Sequence, residues 1–165
     1  MLGMAGIEVA LLGIAMAVVL SGIGSAWGIG LTGQAAAGVL SEDPTKFGRL
    51  LPLVGLPGTQ GIYGFLIALL AAMKLGFIDG KLPDLTPDQG LKWFLVCQPV
   101  AWACLVSAIW QGKVCVSAIQ LTAKKATESA RGLILGVFVE FYAVLGFVAS
   151  VLLWVGAPDP KFLGQ

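Results

Sequence analysis

Charged residues cut the chain into four long apolar segments: about Ile7–Leu40, Leu50–Met73, Lys92–Thr122 and Gly132–Gly156. Each has at least the ~20 residues that an α-helix needs to cross a hydrocarbon core. Long unbroken runs with weak alternation exclude a membrane β-barrel, whose strands alternate apolar and polar residues over about ten positions. The pattern therefore predicts an all-α membrane protein of four transmembrane helices. Between them run two short polar loops, Ser41–Arg49 and Lys124–Arg131, and a longer one, Gly76–Gly90, rich in Pro and Asp. The start of the chain lacks a basic n-region, and its apolar run exceeds the 7–15 residues of a signal core, so it is expected to be a span and not a leader.

Lys and Arg bias sets orientation. The first and third loops hold Lys46, Arg49, Lys124, Lys125 and Arg131, against Lys74, Lys81 and Lys92 around the middle loop. The expectation is a multi-pass cell-membrane protein with loops 41–49 and 124–131 cytoplasmic and both termini outside.

The two halves resemble each other. Ser21, Ile23 and Gln34 match Ser107, Ile109 and Gln120 at an offset of 86, whereas Gly64-Phe65 and Leu70 match Gly146-Phe147 and Leu152 at 82. The change of offset predicts a shorter second cytoplasmic loop. Each half crosses twice and returns to its starting side, so the repeats are parallel, unlike the inverted repeats of many transporters. Residues 1–75 read as a first hairpin, 76–91 as an extracytoplasmic connection and 92–165 as a second hairpin bearing the site. Such hairpins suit assembly about an axis normal to the membrane. Small residues repeat at four along the first span (Ser21/Ser25, Gly22/Ala26/Gly30, Gly24/Gly28/Thr32/Ala36), the spacing that lets helix backbones approach closely in lipid.

Composition narrows the chemistry. The chain is 58% hydrophobic and 12% charged, with net charge +1, so its surface faces membrane lipid and nothing points to nucleic acid. Histidine is absent, which removes the commonest general base and metal ligand. Cys97, Cys104 and Cys115 stand about two and three helical turns apart, too far for a disulfide and too widely spaced for a usual zinc site. They read as apolar filler.

Apart from Glu8 at the edge of the first segment, Glu140 is the one acid inside a span. An ionised carboxylate there costs roughly 3 kcal/mol on insertion scales, so it calls for a purpose. It lies nine residues beyond Arg131, ~13 Å along the helix, and Gly58 holds the matching place in the first half. Around Gly58, Pro57 removes an amide hydrogen and loosens the helix. Thr59, Gln60 and Tyr63 add polar groups at the same depth, and Gln111 adds another from the third span. One carboxylate with amide and hydroxyl oxygens suits a hard cation. A proton needs only the carboxyl group, so the surplus of oxygens favours Na⁺ over H⁺. An ion pair of Glu140 with Lys113 is the rival account. Lys113 stands two residues from Gln111, on nearly the opposite side of the helix, which disfavours it.

These residues also carry a family resemblance. Leu56-Pro57-Gly58-Thr59-Gln60-Gly61-Ile62-Tyr63-Gly64-Phe65, Gln111-Gly112-Lys113-Val114 and Val139-Glu140-Phe141-Tyr142 make the chain similar to the K, or proteolipid c, subunits of bacterial V-type ATPases, especially sodium-pumping ones. The resemblance implies a homo-oligomeric rotor ring of identical subunits that carries Na⁺, alternatively H⁺, on Glu140. It implies ion ligands from Glu140, Gln111, Gln60 and Thr59, a backbone carbonyl from Leu56, and Tyr63 as a latch on the carboxylate. Its implied partners are a stator a/I subunit with an arginine, a central-stalk subunit and membrane lipid. Trp27, Trp102 and Trp110 are bulky for the inner helices of such a ring. There is no Gly-Lys-Ser/Thr phosphate loop, so direct ATP binding is not expected, nor is any cofactor beyond the transported ion. The chain itself is then not an enzyme. Two other functions would use these features differently: a small multidrug-type cation antiporter, and a structural helix bundle indifferent to Glu140→Gln.

Overall fold

A computed structural model describes residues 5–81 and 83–162. Four apolar spans follow one another: Gly6–Glu42, Pro44–Lys74, Pro87–Lys124 and Ala126–Val155. The first is one helix, α1 (Gly6–Glu42). The second is broken into α2 (Phe47–Gly55), a 3-10 turn at Leu56–Gly58, and α3 (Thr59–Lys74). The third and fourth are α4 (Pro87–Lys124) and α5 (Ser129–Val155).

Local chemistry sets the ends. α4 begins at Pro87, ahead of the expected Lys92, because Thr86 and Gln89 form a capping box. The Gln89 N–H donates to Thr86 Oγ1 at 3.3 Å and the Thr86 N–H to Gln89 Oε1 at 3.0 Å. Pro87 at the first helical position needs no amide partner. After α3 the chain turns through Gly76 and Gly80, whose φ values of 79° and 67° belong to glycine. The middle loop holds a short strand, β1 (Pro83–Asp84), paired antiparallel with β2 (Lys161–Phe162) of the C-terminal tail. Lys74 draws the tail in: its Nζ donates to the Ala157 carbonyl at 2.9 Å and lies 5.4 Å from the centre of the Trp154 ring.

The internal repeat has one offset, 82 residues. α1 ends at Asp43 (φ −143°, ψ 89°) and α4 at Lys125 (φ −139°, ψ 92°), and a 3-10 turn follows each, at Pro44–Lys46 and Ala126–Glu128. The second short loop is therefore as long as the first, against expectation. Matches at 86 arise because α1 repeats small residues every four positions, so a slip of one helical turn is nearly silent in sequence. In the fold, Ser25 and not Ser21 stands where Ser107 does.

Packing follows from the missing side chains. A Cβ on Gly13 would lie 2.6 Å from Phe94 Cα, and one on Gly24 2.8 Å from Leu105 Cα. On Gly28 it would fall 2.6 Å from the Ala108 carbonyl, and on Gly112 2.7 Å from Gly28 Cα. α1 and α4 thus touch backbone to backbone along their length, which is how membrane helices gain dispersion contact without a hydrophobic drive. α3 and α5 lie outside this pair. Cys97, Cys104 and Cys115 are free and buried, packed as small apolar groups against Ala17, Ile67 and Ala143 in the case of Cys97 and Cys104.

Both short loops sit at one end of the bundle, where Lys46 Nζ donates to the Ala123 carbonyl at 2.8 Å. Asp43 organises the first of them, accepting from the Thr45 N–H at 3.1 Å and the Thr45 hydroxyl at 2.6 Å. The Thr45 hydroxyl, and then Lys46, hold its carboxyl below the ordinary 3.8. A depressed carboxyl stabilises the turn above its ordinary value, and this is lost as pH falls through the lowered one. Thr45→Val should move the Asp43 titration up toward 3.8, read by carboxyl NMR.

Candidate ion-binding site

The break in the second span is where the site forms. Pro52 and Pro57 leave carbonyls without their helical donors and Gly58 gives the turn no side chain. α1 repairs the break from the side: the Thr32 hydroxyl donates to the Val54 carbonyl at 3.1 Å, and the Gly61 N–H donates to Ser25 Oγ at 2.8 Å. These contacts hold the Leu56–Gly58 turn against α1 and aim Thr59, Gln60 and Tyr63 at α4 and α5.

Glu140 descends from α5 into this space and is 8% exposed. One carboxylate oxygen, Oε1, accepts from the Thr59 hydroxyl at 2.5 Å and the Tyr63 hydroxyl at 2.9 Å. The other, Oε2, accepts from Gln111 Nε2 at 2.7 Å. Gln111 Nε2 also donates to the Gly136 carbonyl at 3.0 Å, and its Oε1 accepts from Gln60 Nε2 at 2.6 Å. Both amides are fully buried. Leu56 enters through its carbonyl, 3.0 Å from Thr59 Oγ1. Every residue expected at the site is thus brought to it, and Tyr63 lies on the carboxylate with its ring against Phe147, centroids 5.3 Å apart.

Thr59 Oγ1 is the hub. It faces three oxygens, Glu140 Oε1 at 2.5 Å, the Leu56 carbonyl at 3.0 Å and Gln60 Oε1 at 3.3 Å. A hydroxyl has one proton, so it satisfies one of these. The contacts gather a carboxylate, a hydroxyl, an amide and a carbonyl oxygen in one small space, a donor set of the kind that hard cations take.

Lys113 takes no part. It is exposed, its Nζ lies 4.1 Å from the centre of the Trp110 ring, and among the described residues no ion pair joins it to Glu140. Sequence reasoning missed Gly136, Ser25 and Thr32. Gly136 lies one turn before Glu140, and a Cβ there would come 2.8 Å from Leu56 Cδ2 and 3.0 Å from Cys115 Sγ. The small-residue rows of α1 carried the only signal for Ser25 and Thr32.

Shifting by 82 residues shows why there is one site. Glu140, Gln111, Thr59, Gln60 and Tyr63 become Gly58, Ile29, Phe141, Tyr142 and Leu145. Gly58 does face Ile29, with a Cβ placed 3.0 Å from Ile29 Cδ1, so the pair equivalent to Glu140 and Gln111 is present in the first half without a polar side chain.

Four membrane-crossing helices in two parallel repeats around a single caged carboxylate define a proteolipid that moves an ion across the bilayer without itself catalysing a reaction. The chain belongs to the family of ATP synthase C subunits, which it matches twice, over residues 12–71 and 94–153, again 82 apart. It is 46% identical over 152 residues, covering 92% of this chain and 94% of the relative, to the V-type sodium ATPase subunit K of Enterococcus hirae. It is also 32% identical over 145 residues, covering 87% of this chain and 60% of the relative, to the A-type ATP synthase subunit K of Methanocaldococcus jannaschii.

Proposed function

We propose that this chain is part of the rotor ring of a V-type ATPase and carries Na⁺ through the membrane on Glu140. The observation that carries this reading is the buried Glu140 carboxylate with Thr59, Gln60, Gln111 and the Leu56 carbonyl gathered around it. The Enterococcus hirae relative, named as a sodium ATPase subunit, supports Na⁺ as the ion. The family match supports a rotor subunit and gives the antiporter alternative no support.

In this reading Glu140, Thr59, Gln60, Gln111 and the Leu56 carbonyl surround the ion. The Gln111 amide turns over to offer Oε1 in place of Nε2. Tyr63 stays on the carboxylate and latches the cage. Bound Na⁺ and the carboxylate together are neutral, so a loaded site faces lipid without the cost of a bare charge. At a stator a/I subunit an arginine competes for the carboxylate and the ion leaves through a half-channel. The turning ring is coupled through a central-stalk subunit to ATP hydrolysis elsewhere in the complex. Moving one charge against 100 mV takes about 2.3 kcal/mol. The Lys and Arg bias puts loops 41–49 and 124–131 in the cytoplasm and the termini outside, with 1–75 and 92–165 as the two hairpins and 76–91 as the outer connection.

A hydrophobic carbodiimide tests this. It should label Glu140 in membranes, and Na⁺ should protect the site. Labelling that ignores Na⁺ and falls with rising pH would make the carried ion a proton.

A further inference from the structure

A groove of about 430 Å³ opens on the flank of the second hairpin, lined by Ala103, Val106, Ser107, Trp110, Val139 and Tyr142. Moved back by 82 residues, these positions are Ser21, Gly24, Ser25, Gly28, Pro57 and Gln60, all buried. They are covered by α4 of the same chain, whose Leu105 and Ala108 lie on Gly24 and Gly28 and whose Gln111 bonds Gln60. The repeat therefore identifies what fits the open groove: the helix that precedes α4 by 82 residues, α1, from another copy. The α1 residues equivalent to Cys104, Leu105, Ala108 and Gly112 are Gly22, Ile23, Ala26 and Gly30. Ile23 is 48% exposed, Ala26 and Gly30 are exposed, and neither Gly22 nor Gly30 would meet anything within 4 Å of an added Cβ.

The two joints are not alike. Within the chain α1 offers Gly13, Gly24 and Gly28 to α4, and the backbones touch. The equivalents on the open face of α4 are Leu95, Val106 and Trp110, each at least half exposed. A tryptophan cannot occupy the space that Gly28 has, where even a Cβ would lie 2.6 Å from the Ala108 carbonyl. We propose that this groove seats α1 of a neighbouring copy with Val106 on its Ile23 and Trp110 on its Ala26–Gly30 face, and that Trp110 is a spacer. The inner helices of the ring then alternate, close within a chain and wide between chains. This rests on the ring reading above. It makes the contact heterologous, one face of α4 on a different face of α1, the kind of contact whose repetition gives a ring where the rotation closes.

Ile23→Cys and Val106→Cys placed together in the full chain, in membranes, should give a ladder of covalent oligomers on mild oxidation. Either variant alone should stay monomeric in a denaturing gel, as should the parent chain, whose own cysteines are buried. Adding Trp110→Ala should raise the disulfide yield severalfold as the copies close up. An oligomer of native size with no ladder would overturn the register, as would dimers from Val106→Cys alone. A ladder whose yield ignores Trp110→Ala would remove the spacer role. A chain that runs as a monomer under native conditions before oxidation would withdraw the ring reading itself, and this joint with it.

Discussion

Glu140→Gln is expected to abolish Na⁺-stimulated ATP hydrolysis by the assembled complex while leaving the chain folded in the membrane. The amide has nearly the carboxylate's shape, so the contacts with Tyr63, Thr59 and Gln111 can be rearranged without a cavity. What it loses is charge. A Na⁺ bound to neutral oxygen donors alone would carry its full charge toward lipid, at roughly 3 kcal/mol on insertion scales. At 1.4 kcal/mol per tenfold, that lowers occupancy of a lipid-facing site about a hundredfold. An arginine of a stator subunit, as proposed above, would also have no carboxylate to attract. Glu140→Asp keeps the charge but shortens the reach to Tyr63 and Thr59, so coupling should persist with weaker Na⁺ affinity. Lys113→Met should leave Na⁺ protection from carbodiimide unchanged, because Lys113 lies over Trp110 and not on the carboxylate. Coupled activity retained by Glu140→Gln would mean that the carboxylate is a structural group and that the ion travels elsewhere.

The four spans were legible because their cause is one-dimensional: a helix must cover the hydrocarbon with apolar residues, and charges mark where it stops. Glu140 was legible for the same reason, being costly where it stands. Gln60, Gln111 and Thr59 followed as polar groups at matching depth. Other features depend on which faces meet, and sequence spacing carries less of that. The repeat offset was misread in the first half because Ser21 and Ser25 are one turn apart and both serine. The start of α4 was placed late because Pro87, Asp88 and Gln89 look like loop, although Thr86 and Gln89 satisfy the first amides reciprocally. Gly136 carried no visible signal at all. Its role is to leave room for Leu56 and Cys115 and to present its carbonyl to Gln111, and both depend on three elements converging.

Once the offset is uniform, the asymmetry of the halves has a physical content. Equivalent positions hold Gln111 and Ile29, Glu140 and Gly58, Tyr63 and Leu145. The oxygens, drawn from both halves, lie at the junction beside the tight α1–α4 joint, where the backbones touch. Oxygens at the looser flank would leave a carboxylate beside an open groove lined by Val106, Trp110 and Tyr142. Placing the cage inside the chain preorganises it before any copy docks.

That dependence of the site on the α1–α4 contact gives the second large effect. Gly28→Val should deplete folded chain from the membrane and remove Na⁺ protection of Glu140 in what remains. A Cβ at Gly28 would lie 2.6 Å from the Ala108 carbonyl on one side and 2.6 Å from Pro57 Cβ on the other. Neither neighbour is the far end of a flexible side chain, so relief requires α4, or the Leu56–Gly58 turn, to move. Gln111 rides on the first and Leu56 on the second, so both shifts open the cage. Overpacking of this kind commonly costs about 1–3 kcal/mol and more where backbone must give. Gly38→Ala is the contrast: its Cβ would meet nothing within 4 Å, and exchanging a helical glycine for alanine gains up to about 1 kcal/mol. The yield and thermal midpoint of each variant, extracted in mild detergent, separate the two. Equal loss in both would mean that glycine in α1 serves flexibility along the helix; loss confined to Gly28→Val ties the ion cage to backbone contact between the two inner helices.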